Sequence, residues 1–291
     1  MKTRFQCFIL LLAFLFATSC WAFNPPEQSN TTVGQGEIPF KLFGGFLIVF
    51  EGRIGNREKL KFALDTGVTH SVIDQKLSDR IPVPRRRLGQ VLIFDKTISA
   101  EWIEVPDIEF GPIRVTNFSM MTGDLRYFQS YATHVDAVIG LDLLRLSSFS
   151  IDYDAYKVRF GPVITDSGVP MDVDGFCITV QLMMGESRVR LLVDTGAQTL
   201  VLYEDRVAGR LPQLKMERET SGVSMGGRVQ SKRGFIPNVR IGNAPLDGII
   251  FLVKAPPAGQ LPGVDGYFGT AALKARRIDF NFDVKTLSWK R

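Results

Sequence analysis

Cysteine is close to absent: Cys7, Cys20 and Cys177 are the only three in 291 residues. Beyond Cys20 a single thiol remains, which can close no intramolecular disulfide and can build no cysteine-based zinc site. Histidine is as scarce, with only His70 and His134, so a histidine-led metal centre lacks ligands as well. Charge of one sign is also missing. The formal net charge is +5, from 35 basic and 30 acidic residues, and the basic runs Arg85-Arg86-Arg87 and Lys274-Ala275-Arg276-Arg277 carry no interleaved aromatics. That balance argues against nucleic acid as a partner. After Ala17 no apolar run approaches the roughly 20 residues of a spanning helix. Stability must therefore come from buried apolar surface, and a chain of this length divides into two ordinary cores.

The apolar stretch that does occur stands at the start. Lys2 and Arg4 precede it, Cys7 to Ala17 form it, and Cys20-Trp21-Ala22 offers a cleavage site of small-x-small type, so residues 1–22 read as an export signal. Its removal leaves 33 basic against 30 acidic residues, a net +3, and predicts a periplasmic or secreted protein. Ala17-Thr18-Ser19-Cys20 also reads as a lipidation site that would hold the chain on a membrane through Cys20. The position before Thr18 there usually carries a larger aliphatic residue, which favours cleavage before Phe23. Residues 23–36, with Pro25-Pro26 and paired threonines, read as a flexible leader. Residues 37–163 and 164–291 then form two lobes joined through the turn-rich Asp166-Ser167-Gly168-Val169-Pro170.

The lobes repeat one another. Asp65-Thr66-Gly67 and Asp194-Thr195-Gly196 each end an apolar run. The interval from the first triplet to the second recurs, unchanged, from Val135-Asp136-Ala137-Val138-Ile139-Gly140 to Val264-Asp265-Gly266-Tyr267-Phe268-Gly269. Strand-like runs lead to each triplet (Gly45 to Glu51 and Lys59 to Leu64; Phe176 to Met183 and Arg188 to Val193), and a β-rich run follows it. Short helices are predicted over Asp74 to Arg80 and Glu204 to Arg210. Each lobe then shows a hairpin, with turns at Asp95-Lys96 and Gly226-Gly227. Each closes with Ile-Asp-aromatic, Ile151-Asp152-Tyr153 and Ile278-Asp279-Phe280, before a last strand. Short strands at regular spacing with few helices predict an all-β, barrel-like lobe built twice.

Asp-Thr-Gly between a strand and a turn, followed some 70 residues on by two apolar residues and a glycine, resembles the retropepsin-like and pepsin-like aspartic proteases. The resemblance covers nearly all of residues 37–291. It implies two acid-protease-type β-barrel lobes related by pseudo-two-fold symmetry, with the active site between them and Asp65 and Asp194 as the catalytic pair. Two carboxylates about 3 Å apart cannot both ionise, so such a pair shares a proton and can activate water against a carbonyl. No cofactor or metal is implied. By the same resemblance Thr66 and Thr195 lock the loops together, Gly67 and Gly196 admit close approach, and Gly140 and Gly269 lie beneath the loops where a side chain would not fit. The hairpins at Asp95, Lys96, Gly226 and Gly227 become flaps over an extended peptide or protein substrate. Fusion of both half-sites into one chain implies a monomer.

This chain departs from the pattern in places. Val68 follows the first triplet where alanine or serine is usual, Thr270-Ala271-Ala272 stands where the first lobe has Leu141-Asp142-Leu143, and no pepsin-type flap tyrosine has a recognisable place. The half-site is closer to the retroviral type. Gly222-Val223-Ser224-Met225-Gly226 fits the G-x-S-x-G pattern of serine hydrolases, but both histidines precede Ser224 and the repeat puts it in a hairpin. His70 reads as a strand residue beside the active loop, and Cys177 and Met183-Met184 as core packing. Two readings rival an exported aspartic endopeptidase: a non-catalytic peptide-binding module on the same fold, and an interaction lipoprotein anchored through Cys20.

Overall fold

The structure of the protein is a computed structural model that describes residues 8–9, 14–15, 30–82, 86–93, 96–164, 168–174, 177–224, 227–257 and 260–291. Of the segment read as an export signal, only the two-residue strands Phe8–Ile9 and Phe14–Leu15 are among these; they lie against the second and first hairpins respectively. The predicted turn residues Asp95 and Gly226 fall outside the described residues.

The fold is all-β in two similar lobes, with parallel and antiparallel pairings mixed. In the first lobe Gly36–Phe43, Leu47–Ile54 and Arg57–Leu64 run as an antiparallel meander. Alternation along these strands buries Ile38, Phe40, Ile48, Phe50, Phe62 and Leu64 in the core. Ala137–Ile139 lies parallel to the last of them, Phe62 opposite Ala137, and takes Val72–Asp74 on its other side. The second lobe repeats this: Cys177–Met184 pairs antiparallel with Ser187–Asp194, which is parallel to Gly266–Gly269, which pairs with Leu200–Tyr203.

The aspartates of the Val-Asp-small motifs explain why this layout recurs. Asp136 Oδ2 accepts from the backbone N–H of Lys61 at 2.8 Å, and Asp265 Oδ2 accepts from that of Arg190 at 2.9 Å. The backbone carbonyls of the same two residues take the N–H of Asp74 and of Tyr203, each at 2.8 Å. Each aspartate therefore pins the strand entering the triplet to the strand leaving it, satisfying backbone donors where the ladder would otherwise end.

Helices are short. Gln75–Ser78 is capped by Asp74, whose side chain accepts from Lys76 N, and Glu204–Val207 is its counterpart, so both predicted helices form but stop two or three residues sooner. The hairpins are long: Arg86–Ile93 pairs with Lys96–Phe110, and Lys215–Ser224 with Gly227–Phe235. Lys96 and Gly227 each open the returning strand, and Gly227 has φ 102°, the conformation for which glycine suits such a position. Ser224, opposite Gly227, is at the tip of a hairpin and not on a strand-to-helix elbow.

A six-stranded sheet joins the halves, three strands from each, in the order Gly36–Phe43, Lys157–Phe160, Phe149–Asp152, Arg277–Asn281, Thr286–Lys290, Val169–Asp174. Its central pair brings the two Ile-Asp-aromatic motifs face to face, with Ile151 opposite Ile278. Phe149 and Phe280 stack across that seam at 4.6 Å with planes 19° apart. Both rings are fully buried, and each contributes roughly 1.5–3 kcal/mol of burial.

Candidate active site

The strands Arg57–Leu64 and Ser187–Asp194 deliver the two triplets to one place. There Thr66 and Thr195 clasp each other. Thr66 N donates to Thr195 Oγ1 at 2.9 Å and Thr195 N donates to Thr66 Oγ1 at 3.1 Å. Each hydroxyl then donates onward across the interface, Thr66 Oγ1 to Val193 O at 2.9 Å and Thr195 Oγ1 to Leu64 O at 3.3 Å. Four buried hydrogen bonds thus fix one loop against the other, and each threonine is satisfied only when its counterpart is present.

The clasp sets Asp65 and Asp194 against one another. Each carboxylate accepts, through Oδ1, the backbone N–H two residues on: Gly67 N at 2.8 Å for Asp65 and Gly196 N at 2.7 Å for Asp194. A Cβ added at Gly67 would stand 2.6 Å from Cγ of Asp194, so only glycine lets the second carboxylate approach this closely. Neither side chain reaches solvent, and neither Oδ2 has a donor in the protein. The two carboxyl groups are close enough to hydrogen-bond once one of them carries a proton. Burial pushes both pKa values up, and the negative charge of Asp65 adds to the rise at Asp194. The pair holds one proton far more easily than two charges.

Beneath the loops the chain crosses itself. Gly140 leaves no room for a side chain, since a Cβ there would meet Val68 O at 2.7 Å; at Gly269 the contact is with Ala197 O at 2.6 Å. Val68 and Ala197, the residues that follow the triplets, are fully buried and apolar. Neither offers a side-chain donor to the adjacent carboxylate.

Sequence reasoning misplaced His70. It lies in the bend between Val68 and Val72 rather than in a strand, because the chain must turn to cross over Gly140. Its ring meets Trp102 edge-on at 5.2 Å, and burial, with a smaller contribution from Arg145, lowers its pKa to about 4, leaving a neutral imidazole at neutral pH. Met184 and Cys177 are buried in the core, whereas Met183 is half-exposed.

Tyr127 was not singled out by sequence reasoning at all. It sits on the 3₁₀ turn Arg126–Tyr131, with a buried hydroxyl and with Asp65 and Asp194 both acting electrostatically on it. The matching positions of the second lobe, one repeat further on, read Ala255-Pro256-Pro257-Ala258-Gly259-Gln260. A break in an otherwise faithful repeat was the available signal.

No helix among the described residues is long and apolar enough to cross a membrane. Comparison with curated proteins one by one returned no match. The family model for aspartyl proteases matches twice, over residues 50–143 and 179–272, offset by the same interval as the triplets and together well over half of the chain. Each match contains one triplet and the apolar-apolar-glycine or aromatic-aromatic-glycine crossing beneath it. The chain belongs to the aspartyl protease family.

Proposed function

We propose that this chain is an exported aspartic endopeptidase in which Asp65 and Asp194 share a proton and activate a water molecule against the scissile carbonyl. The observation that carries the reading is the reciprocal Thr66–Thr195 clasp, which holds two buried carboxylates together with their Oδ2 atoms unsatisfied by protein. Holding two such groups in an apolar setting destabilises the fold, and that cost is repaid where the ionised member takes a proton from water while the protonated member polarises a carbonyl oxygen.

The hairpins complete the scheme. With Asp65 and Asp194 out of reach of solvent, substrate enters only when a hairpin lifts, and closure then excludes water and aligns an extended peptide by strand-like hydrogen bonding. Both half-sites come from one chain, so the working unit is a monomer.

Two measurements test this. The chain beginning at Phe23 should cleave members of a peptide library while its Asp194→Asn variant does not; library turnover equal in both proteins would overturn the reading. Mass analysis of the exported protein should give an N-terminus at Phe23, and a lipidated Cys20 would move the enzyme to a membrane surface.

A further inference from the structure

Near the two carboxylates the sequence repeat also breaks at the 3₁₀ turn Arg126–Tyr131. The turn is firmly seated. Tyr127 lies against Phe128 at 4.1 Å, and Tyr131 meets Phe46 at 5.3 Å and packs over Gly44, where an added Cβ would be 3.0 Å from its ring. Both tyrosines border the apolar cluster that contains Val68, the residue next to the first triplet. Tyr127 is therefore seated by its ring and not by its hydroxyl, within electrostatic reach of both carboxylates.

That hydroxyl is buried and has no partner in the protein. An unsatisfied buried hydroxyl destabilises a fold by about 1–3 kcal/mol, and a catalytic role is one reason native structures keep such a group. Asp65 Oδ2 and Asp194 Oδ2 are in the same condition. Burial, the charge on Asp65, Tyr131 and the charge on Asp194 all oppose ionisation of Tyr127, so it keeps its proton and remains a hydrogen-bond donor.

We propose that Tyr127 is a third catalytic residue, whose hydroxyl donates a hydrogen bond to the substrate oxygen at the carbon under attack. This rests on the endopeptidase reading above. In the addition step the water oxygen bonds to the carbonyl carbon, the water proton passes to the ionised carboxylate, and the shared proton passes to the former carbonyl oxygen. Tyr127 loses no proton; it stabilises the charge that builds on that oxygen, and a donor in place before the reaction stabilises such charge without reorganisation.

The test compares the wild type with Tyr127→Phe, which keeps the ring and its packing. The variant should keep or raise its thermal midpoint, having shed an unsatisfied hydroxyl, lose about 10- to 100-fold in kcat and change little in KM. Two peptide inhibitors locate the effect: a phosphinate, with two oxygens on its tetrahedral centre, should bind the variant at least about tenfold more weakly, while a hydroxyethylene isostere, with one, should bind within about twofold. Unchanged kcat, equal weakening of both inhibitors, or a loss confined to peptides with a polar side chain before the scissile bond would overturn the role. A wild type that binds neither inhibitor would overturn the endopeptidase reading itself.

Discussion

The loop under the first triplet is held by buried polar groups, and the loop under the second by hydrocarbon and a pair of phenols. In the first, Asp142 accepts from Ser71 N and Ser71 Oγ, each at 2.7 Å, and from Leu143 N at 3.0 Å, while Gly140 N donates to Ser71 Oγ at 3.0 Å. The matching positions in the second lobe are Leu200 and Ala271, and Gly269 N donates instead to the backbone carbonyl of Thr199 at 3.0 Å. Asp74, which takes the N–H groups of Lys76 and Leu125, is matched by Tyr203, whose hydroxyl meets that of Tyr267 at 2.8 Å. One backbone path therefore has two chemical solutions. The polar one has a liability the other lacks: burial pushes Asp142 up to about 6 despite three donors and the nearby Arg145 charge. A raised carboxyl pKa favours folding at low pH, and that contribution fades as pH climbs from about 4 toward 6.

The strongest challenge to equal partnership between the lobes is removal of one carboxylate at a time. Asp65→Asn and Asp194→Asn should each lower kcat/KM by about 10³-fold or more, and the double variant should be no worse than either, because the shared proton needs both. An active Asp65→Asn protein would show that the halves contribute unequally.

Next in size is the polar network of the first lobe. Asp142→Ala should cost about 2–4 kcal/mol by stranding the donors of Ser71 and Leu143. Adding Ser71→Ala should cost less in that background than in the wild type in a urea titration, because its bond to Asp142 is already gone. Simple additivity would mean that the two residues do not act as a unit.

A smaller effect of opposite sign is expected at the triplets. Asp194 has a folded pKa above its unfolded value, so its ionisation opposes folding once pH exceeds about 4, and Asp194→Asn should raise the thermal midpoint at pH 7 by roughly 2–4 °C or more. The gain should shrink toward pH 4, where the unfolded carboxyl is itself half protonated. A midpoint unchanged at pH 7 would show that burial is not what raises this group.

The smallest expected effect concerns Val68 and Ala197. With no side-chain donor beside either carboxylate, the acid limb of kcat/KM should sit high and the optimum fall at about pH 4.5–6.5. Serine at both positions should favour the ionised form and move that limb down by about half a pH unit or more. No movement would mean that the backbone N–H groups alone set the protonation.

What the sequence disclosed follows from what duplicates. Both triplets, the crossing glycines and the hairpins were legible because each occurs twice at one spacing, and the aspartate in each Val-Asp-small motif proved to be the strand pin that spacing preserves. The Ile-Asp-aromatic motifs were visible too, but nothing in a linear repeat says that Ile151 will pair with Ile278; that pairing is a long-range choice made by the central seam. Tyr127 was hidden because it belongs to one lobe only. His70 was read as strand because its neighbours Ser71-Val72-Ile73 favour one, whereas the crowding over Gly140 forces a bend at that residue.

The joining sheet bears on when the paired carboxylates can come together during synthesis of the chain. Its central seam needs Arg277–Asn281, and its next strand is Thr286–Lys290, so the frame that aligns the two lobes requires segments made long after both triplets. A lobe can fold as its strands arrive, but contacts between segments so far apart in the chain close late. A half-made chain therefore carries one carboxylate, or two unaligned ones, and no shared proton. On the function proposed above, a chain whose central seam has not closed has no proteolytic capacity.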